Sequence, residues 1–355
     1  MFKKAKKLVS VVVTGMMLAT LTTGCLSSTS SSSATPTKTT PTAASGSAKV
    51  IKVSIGLNEQ SPLYAGMKKF GDIVKEKTSN RYEVQLYPNA QLGDDLKATE
   101  ALRMGTLEMT PPSTSPLTGI DPKLMIFDLP FLFPNKQVAD KVLDGPIGQD
   151  ILDGLTSKGL KGLGFMENGY RQLTNSVREV KSPADLKGLK IRTMENPMHL
   201  AAWKAMGANP TPMPFSEVFT AMQQKTIDGQ ENPITTIYLQ KFQEVQKYTT
   251  LTGHIYTPFI VLMSKKTWDS LSADDQKIFL NAVNEAKVFQ RQTGRDAEAG
   301  QIKKLREAGM TVTELTPDQL KAFQDATKSV YDQFADKIGK DFLAKVQTEI
   351  AKDSK

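Results

Sequence analysis

The chain has 355 residues, 39% of them hydrophobic and 23% charged, which excludes a disordered polymer and favours a globular protein with one large core or two moderate ones. Its formal charge is +8, yet four of the 45 basic residues, Lys3, Lys4, Lys6 and Lys7, sit at the very start, and the remaining 41 are interspersed with 37 acidic ones. No basic run alternates with aromatics, so a nucleic-acid partner is not indicated.

Residues 1–24 read as a secretory signal. The lysines are followed by an apolar run from Leu8 to Leu21, too short to span a bilayer comfortably, and by small residues up to Cys25. The chain is therefore expected to be exported. Cys25 is the only cysteine, which excludes an intrachain disulfide. Its place after "LTTG" resembles the lipobox of bacterial lipoproteins, although Thr22 stands at the usual aliphatic position and Leu21 comes one place early. That resemblance implies lipidation of Cys25 and a membrane anchor. Residues 25–49 are almost wholly Ser, Thr, Pro and Ala after the cysteine and lack the apolar periodicity a core needs, so they read as a tether. Such a coil averages ~27 Å end to end and reaches roughly 80 Å when stretched.

The folded part begins with Ile51, Val53, Ile55 and Leu57 alternating as a strand. A helix follows over 62–78, with Leu63, Met67, Phe70 and Val74 at helical spacing, then a strand over 82–87. Next come a helix over 94–104 stopped by Gly105 and a short strand over 107–110. The alternation continues with a helix over 146–157 and a strand over 160–166. A short helix capped by Ser182, with Pro183 first and Asp185 third, leads into the strand of "GLKIRTMENP". Within that strand Leu189 and Ile191 point inward, so Arg192 faces the other way, towards solvent or a cleft. A helix over 215–225 ends in "TIDGQENP". From Ser272 onward the pattern is nearly all helical, with "SADD" and "TPDQ" as capping boxes and Ile278, Ala282, Ala286 and Phe289 as one buried face. The helix over 274–307, with Gly294 and Gly300 as points where it would bend, spans ~50 Å and would brace two lobes. Alternating strands and helices predict an α/β fold with a mostly parallel sheet flanked by helices and ligands at the strands' carboxyl ends.

Most chemistries find no residues. His199 and His254 are the only histidines, no G-x-S-x-G elbow accompanies them, and no cysteine is left for nucleophilic work once Cys25 is spent on the anchor. "GLGFMENG" lacks the third glycine of a dinucleotide loop and no G-x-x-x-x-G-K-[ST] occurs, so no nucleotide cofactor is expected. Asp94 and Asp95 read as helix-dipole partners and no His/Cys cluster suggests a metal. Binding without chemistry survives. The polar segments "ENGYRQLTN", "RTMENP" and "DGQENP" read as loops that gather at one sheet edge, bringing Arg171, Arg192 and Asn232 to a common cleft suited to an anion.

"PNAQLGDDLKATEALRMGTLEMT", "FDLPFLF", "GYRQLTNS", "SPADLKGLKIRTMENP", "MGANPTPMPFSEVFTAMQQKTIDGQENP" and "EVQKY" together resemble the solute receptors of tripartite ATP-independent periplasmic (TRAP) transporters, of the DctP type, over about residues 50 to 345. The resemblance implies a two-lobed periplasmic binding fold with crossing strands, a long helix bracing both lobes, and closure around a carboxylate. It implies partners as well, the small and large TRAP membrane subunits. Arg192 corresponds to the family's carboxylate-gripping arginine, Arg171 to its second arginine, and Asn232 to the asparagine after the D-G-x-E segment. Where the family often has His-Pro after the first strand, this chain has Gln60, Ser61 and Pro62, so the first-lobe contacts differ. The lobes are expected at 50–168 with 257–296 and at 169–256 with 297–350.

Guanidinium matches a carboxylate with a planar fork that lysine lacks. Among solutes, a C4-dicarboxylate or keto acid competes with a sugar acid. Glu167, Asn168, Glu195, Asn196, Gln230 and Glu231 suit hydroxyls, and "RTMENP" resembles uronate-binding members, so a hexuronate or similar sugar acid is preferred. Two other readings stand beside the transport receptor: a secreted enzyme on such acids with His199 or His254 as base, and a sensory receptor of the same fold.

Overall fold

A computed structural model describes residues 47–353. The leader 1–24, Cys25 and tether residues 26–46 lie outside the described residues. The chain then enters β1 (Lys49–Ser54), α1 (Pro62–Lys77), β2 (Tyr82–Tyr87), α2 (Asp95–Met104) and β3 (Met109–Thr110). Helices α3 (Lys136–Asp144) and α4 (Pro146–Gly154) precede β4 (Leu160–Asn175). After it come β5 (Lys190–Thr193), α5 (Pro197–Ala205), β6 (Asn209–Pro212), α6 (Val218–Gln223) and β7 (Gly229–Pro233). The chain continues through α7 (Ile234–Leu239), β8 (Tyr248–Leu251), β9 (Tyr256–Ser264), α8 (Lys265–Asp269), α9 (Ala273–Glu307), β10 (Thr311–Glu314), α10 (Pro317–Ile338) and α11 (Lys340–Asp353).

The ten strands form one hydrogen-bonded path, β2-β1-β3-β9-β4-β7-β5-β6, with β8 on β4 and β10 on β8. Pairing is parallel wherever strand and helix alternate: β1 with β2 and β3, and β5 with β6 and β7. Between these flanks β4 and β9 run antiparallel to each other, and β4 also pairs antiparallel with β7. β4 extends past the expected stop at Met166 to Asn175, 16 residues in all. Register shifts at Gly162/Gly164 and Glu167/Gly169 bend it, and Gly169 takes φ 118°, which a side chain would resist. "ENGYRQLTN" is therefore strand where the sequence suggested loop, and "DGQENP" likewise becomes β7. Alternation failed there because these residues present polar groups to an interior space. At Gly229 a Cβ would lie 2.1 Å from the Thr174 carbonyl oxygen, so only glycine admits the β4–β7 approach.

One core gathers Ile51, Val53 and Phe70 against Phe279, Ala282 and Ala286 of α9, with Phe70 and Tyr82 edge-on to Phe279 at 5.7 and 5.5 Å. Across the crossing strands, Leu173, Ile191 and Trp203 pack with Phe323 of α10. α9 runs 35 residues through Gly294 and Gly300. Its buried stripe is Phe279, Ala282, Val283, Ala286 and Gln290, turned from the expected face so that Phe289 is 42% exposed beneath Lys69. Ser272 caps it by accepting from the Asp275 amide at 3.1 Å. The other half of that box is missing because Asp275 takes a bidentate bond from Arg81, 2.7 and 2.6 Å. The Thr316 and Gln319 box forms in full.

Candidate functional site

Arg192 lies on β5, its neighbour Ile191 in the core and its own side chain only 2% exposed. Nε and Nη2 both donate to the Met213 carbonyl, at 3.0 and 2.7 Å, and the guanidinium stands 5.9 Å from the Phe215 ring. Its Nη1 is buried without a hydrogen-bond partner. Arg171, on β4 and 1% exposed, is oriented by Glu231 of β7: Nε and Nη2 donate to the carboxylate and Nη2 also to the Glu231 carbonyl at 2.6 Å. Again Nη1 is buried and unpartnered. Leaving a buried charged donor unmade is costly, and here two such donors belong to residues lining the same cavity.

That cavity encloses ≈ 650 Å³ including its opening. Asn168, Asn232 and Glu195 line it with the two arginines, beside Phe215 and Phe259. Burial, helped by the Arg171 charge, lowers the Arg192 pKa to about 10 against the raising effects of Glu231, Asp95 and Glu195. It therefore remains charged at neutral pH. Burial works to raise the Glu231 pKa, but the Arg171 charge and hydrogen bonds from His254 and Arg171 hold that carboxyl well below the usual range. Glu231, Asp95 and Glu195 all act on Arg192, so what favours a further anion is the pair of unmade guanidinium donors rather than a surplus of positive charge.

The remaining candidates divide. Gln230, fully buried, donates to Thr174 Oγ1 at 2.9 Å and accepts from Asn232 Nδ2, so it orients Asn232 from behind. Asn196 caps α5 through the Met198 amide at 2.8 Å and donates to the Ser115 carbonyl at 3.0 Å and Asp128 at 2.7 Å. Neither of these lines the cavity. Glu167 is held by Arg295, 2.8 Å from its Nε.

Asp95 is the residue the sequence reading missed. Asp94 performs the helix cap, accepting from the Lys97 amide at 3.0 Å. Asp95 instead lines the cavity and accepts from the Ser113 amide at 3.0 Å. Burial pushes its pKa up to about 6, and Glu195 is raised by burial in the same direction. Two adjacent aspartates where one suffices for the cap were the available signal.

His199 Nε2 lies 2.9 Å from Asp128, which also accepts from Ser115 Oγ and Asn196. His254 bonds Thr252 at 2.8 Å and Glu231 at 3.3 Å, and packs edge-on to Trp203. Neither histidine lines the cavity, so the base proposed for an enzyme is occupied in supporting the frame.

Residues 53–337 match the family described as bacterial extracellular solute-binding protein, family 7 (DctP). This chain belongs to that family. As a TRAP solute-binding receptor it is 39% identical over 302 residues to the 2,3-diketo-L-gulonate-binding periplasmic protein YiaO of Escherichia coli, covering 84% of this chain and 92% of that one. Among solved structures, the sugar acid binding protein DctPAm of Advenella mimigardefordensis, in complex with galactonate, superposes with TM-score 0.84 at 39% identity, over 86% of this receptor and 98% of that chain. A TRAP periplasmic solute binding protein of Polaromonas sp., bound to D-erythronate, gives 0.82 at 41% identity, over 84% and 98%. No helix among the described residues of the receptor is long and apolar enough to cross a membrane.

Proposed function

We propose that this receptor binds a sugar acid, a hexuronate or close relative, and delivers it to the small and large TRAP membrane subunits without chemical change. The observation that carries the reading is that Arg171 and Arg192, the two residues with a buried, unpartnered Nη1, both line one cavity. A carboxylate there gains charge-assisted bonds of ~1.5–3 kcal/mol each, a large share of the roughly 8 kcal/mol that micromolar affinity needs. Asp95, Glu195 and Asn168 line the same space and suit hydroxyls, whereas a C4-dicarboxylate would want a further cation. The related receptors carry galactonate and D-erythronate, both hydroxylated acids.

In this reading residues 50–168 with 257–296 form one lobe and 169–256 with 297–350 the other. They close on the solute because each guanidinium keeps a buried donor unmade that a bound carboxylate satisfies. Lipidation of Cys25 holds the receptor at the outer face of the membrane, where the tether lets it move. A thermal-shift panel of hexuronates, aldonates and succinate tests the solute class. A sugar acid is expected to raise the melting temperature most and to be recovered unchanged by NMR. A larger shift with succinate rejects the sugar-acid reading, and turnover of the ligand supports the secreted enzyme instead. Small-angle scattering is expected to show compaction with solute, and identical curves reject closure.

A further inference from the structure

A second space of ≈ 550 Å³, including its mouth, adjoins the solute cavity. Leu57, Leu63, Asn168, Thr236 and Phe259 line both, so the two are divided by a single layer of side chains. Asn168 sits in that layer at the β4 bulge, between Glu167 and Gly169, where the strand's register shifts.

The two spaces differ in the donors they leave free. The first holds two buried guanidiniums, each with an unpartnered Nη1, beside the carboxyls of Asp94, Asp95 and Glu195. In the second, the Lys136 ammonium is paired with Glu298 and lies 3.9 Å from Glu167, whose carboxylate Arg295 already holds. Gln290 is likewise committed, exchanging 2.9 and 2.7 Å bonds with the Glu167 backbone. Groups open to a ligand include the amides of Asn168 and Gln240, the Thr236 hydroxyl and the outer faces of the Lys136–Glu298 pair, about a quarter exposed. Donors and acceptors of cancelling charge suit neutral hydroxyls and repay a second carboxylate poorly.

Gly294 of α9 faces this space. Glycine is disfavoured inside a helix, and crowding does not require it here, since a Cβ would meet only Pro62, at 3.7 Å. Its effect is to leave the second space open where α9 passes.

We infer that the two spaces form one elongated site whose ligand is an acid of disaccharide length. Its carboxylate lies on Arg171 and Arg192, and its neutral glycosyl ring passes Asn168 to reach Lys136, Glu298 and the α9 backbone at Gly294. This rests on the sugar-acid reading above and extends it from one sugar unit to two.

Calorimetry tests it with gluconate and galactonate against cellobionate and lactobionate, which carry one carboxylate and one added sugar. The protein is expected to bind at least one disaccharide acid as tightly as its better monosaccharide acid. Gly294→Phe, which fills the second space, is expected to weaken the disaccharide acid by about tenfold or more while monosaccharide binding stays within about twofold. Glu298→Gln, a smaller change, is expected to weaken only the disaccharide acid, by several-fold. Retained monosaccharide binding by each variant reports that it is folded. Binding of monosaccharide acids with neither disaccharide acid bound overturns the inference, as does a Gly294→Phe variant that holds both lengths like the parent. Failure of all four acids overturns this extension, and the sugar-acid reading falls with it only where the hexuronates of the thermal-shift panel fail as well.

Discussion

Two buried polar clusters lie close together in this molecule and are built to opposite rules. In the first, Asp128 takes hydrogen bonds from Ser115 and Asn196 and pairs with His199, all of them fully or almost fully buried. Ser115 is followed by Pro116 and Asn196 preceded by Glu195, both lining the cavity, so the knot fastens two of its walls. In the second, Arg171 and Arg192 are held by Glu231 and Met213 yet each keeps one buried donor unmade. In the first cluster both Asp128 oxygens are engaged and the one atom left over, His199 Nδ1, belongs to a residue away from the cavity, so the knot contributes stability; the arginine cluster gives up stability and keeps its unmade donors on residues that line the cavity.

The strongest attempt to blur that line is Arg171→Ala, because Arg171 belongs to both categories. Removing it strands the Glu231 charge, and a broken buried pair costs ~3–5 kcal/mol. Urea unfolding is expected to show that loss, with solute affinity falling as well; Arg171→Ala as stable as the parent would place Glu231 in a wetter setting than its burial implies. Asp128→Ala comes next. It leaves three buried partners unmet, and a loss of ~2–4 kcal/mol in unfolding free energy is expected, with the folded fraction retaining most of its affinity. If affinity collapses while stability holds, the knot is part of the site.

Arg192→Lys reverses the pattern. The ammonium keeps the charge but not the fork, so affinity is expected to fall by about 1.5–3 kcal/mol, some ten- to hundredfold, with a melting temperature near the parent's. Calorimetry beside a thermal melt reads both quantities.

The smallest effect is on pH. The Asp95 pKa is raised to about 6 in the folded protein, and a bound carboxylate adds negative charge beside it and raises it further. Binding therefore takes up a fraction of a proton near that pH, so affinity is expected to rise several-fold as pH falls from about 7.5 to 6, while the solute's own carboxyl stays ionised. Asp95→Asn is expected to flatten the slope. Affinity that falls with pH over this range, or an unchanged slope in the variant, assigns the proton elsewhere.

Much of this was legible along the chain because it is local. The cap at Thr316 formed as its spacing implied, and apolar alternation located β1 and β2. Legibility failed where polar residues occupy strands. "ENGYRQLTN" and "DGQENP" read as loops, yet they are β4 and β7, paired in register from Arg171 opposite Pro233 to Asn175 opposite Gly229. A strand facing an interior polar cavity carries no apolar alternation to betray it. Likewise Asn168, Asn196, Gln230 and Glu231 are similar in type, but their partners differ, and partners come from other elements. Only folding decided that Asn168 lines the cavity, Asn196 caps a helix, Gln230 braces Asn232 and Glu231 holds Arg171.

By itself the sequence determined the alternation of strands and helices, the long α9 and the placing of one forked cation, Arg192, on a strand, since propensity, capping and side-chain chemistry act over a few residues. Tertiary structure alone decided the antiparallel crossing of β4 and β9, the turn of α9 that buries Phe279 and exposes Phe289, and the meeting of Arg171, Arg192 and Asp95 around one space. Those outcomes depend on which surfaces exclude water together and which buried donors find acceptors. Both are properties of contacts between residues distant in the chain.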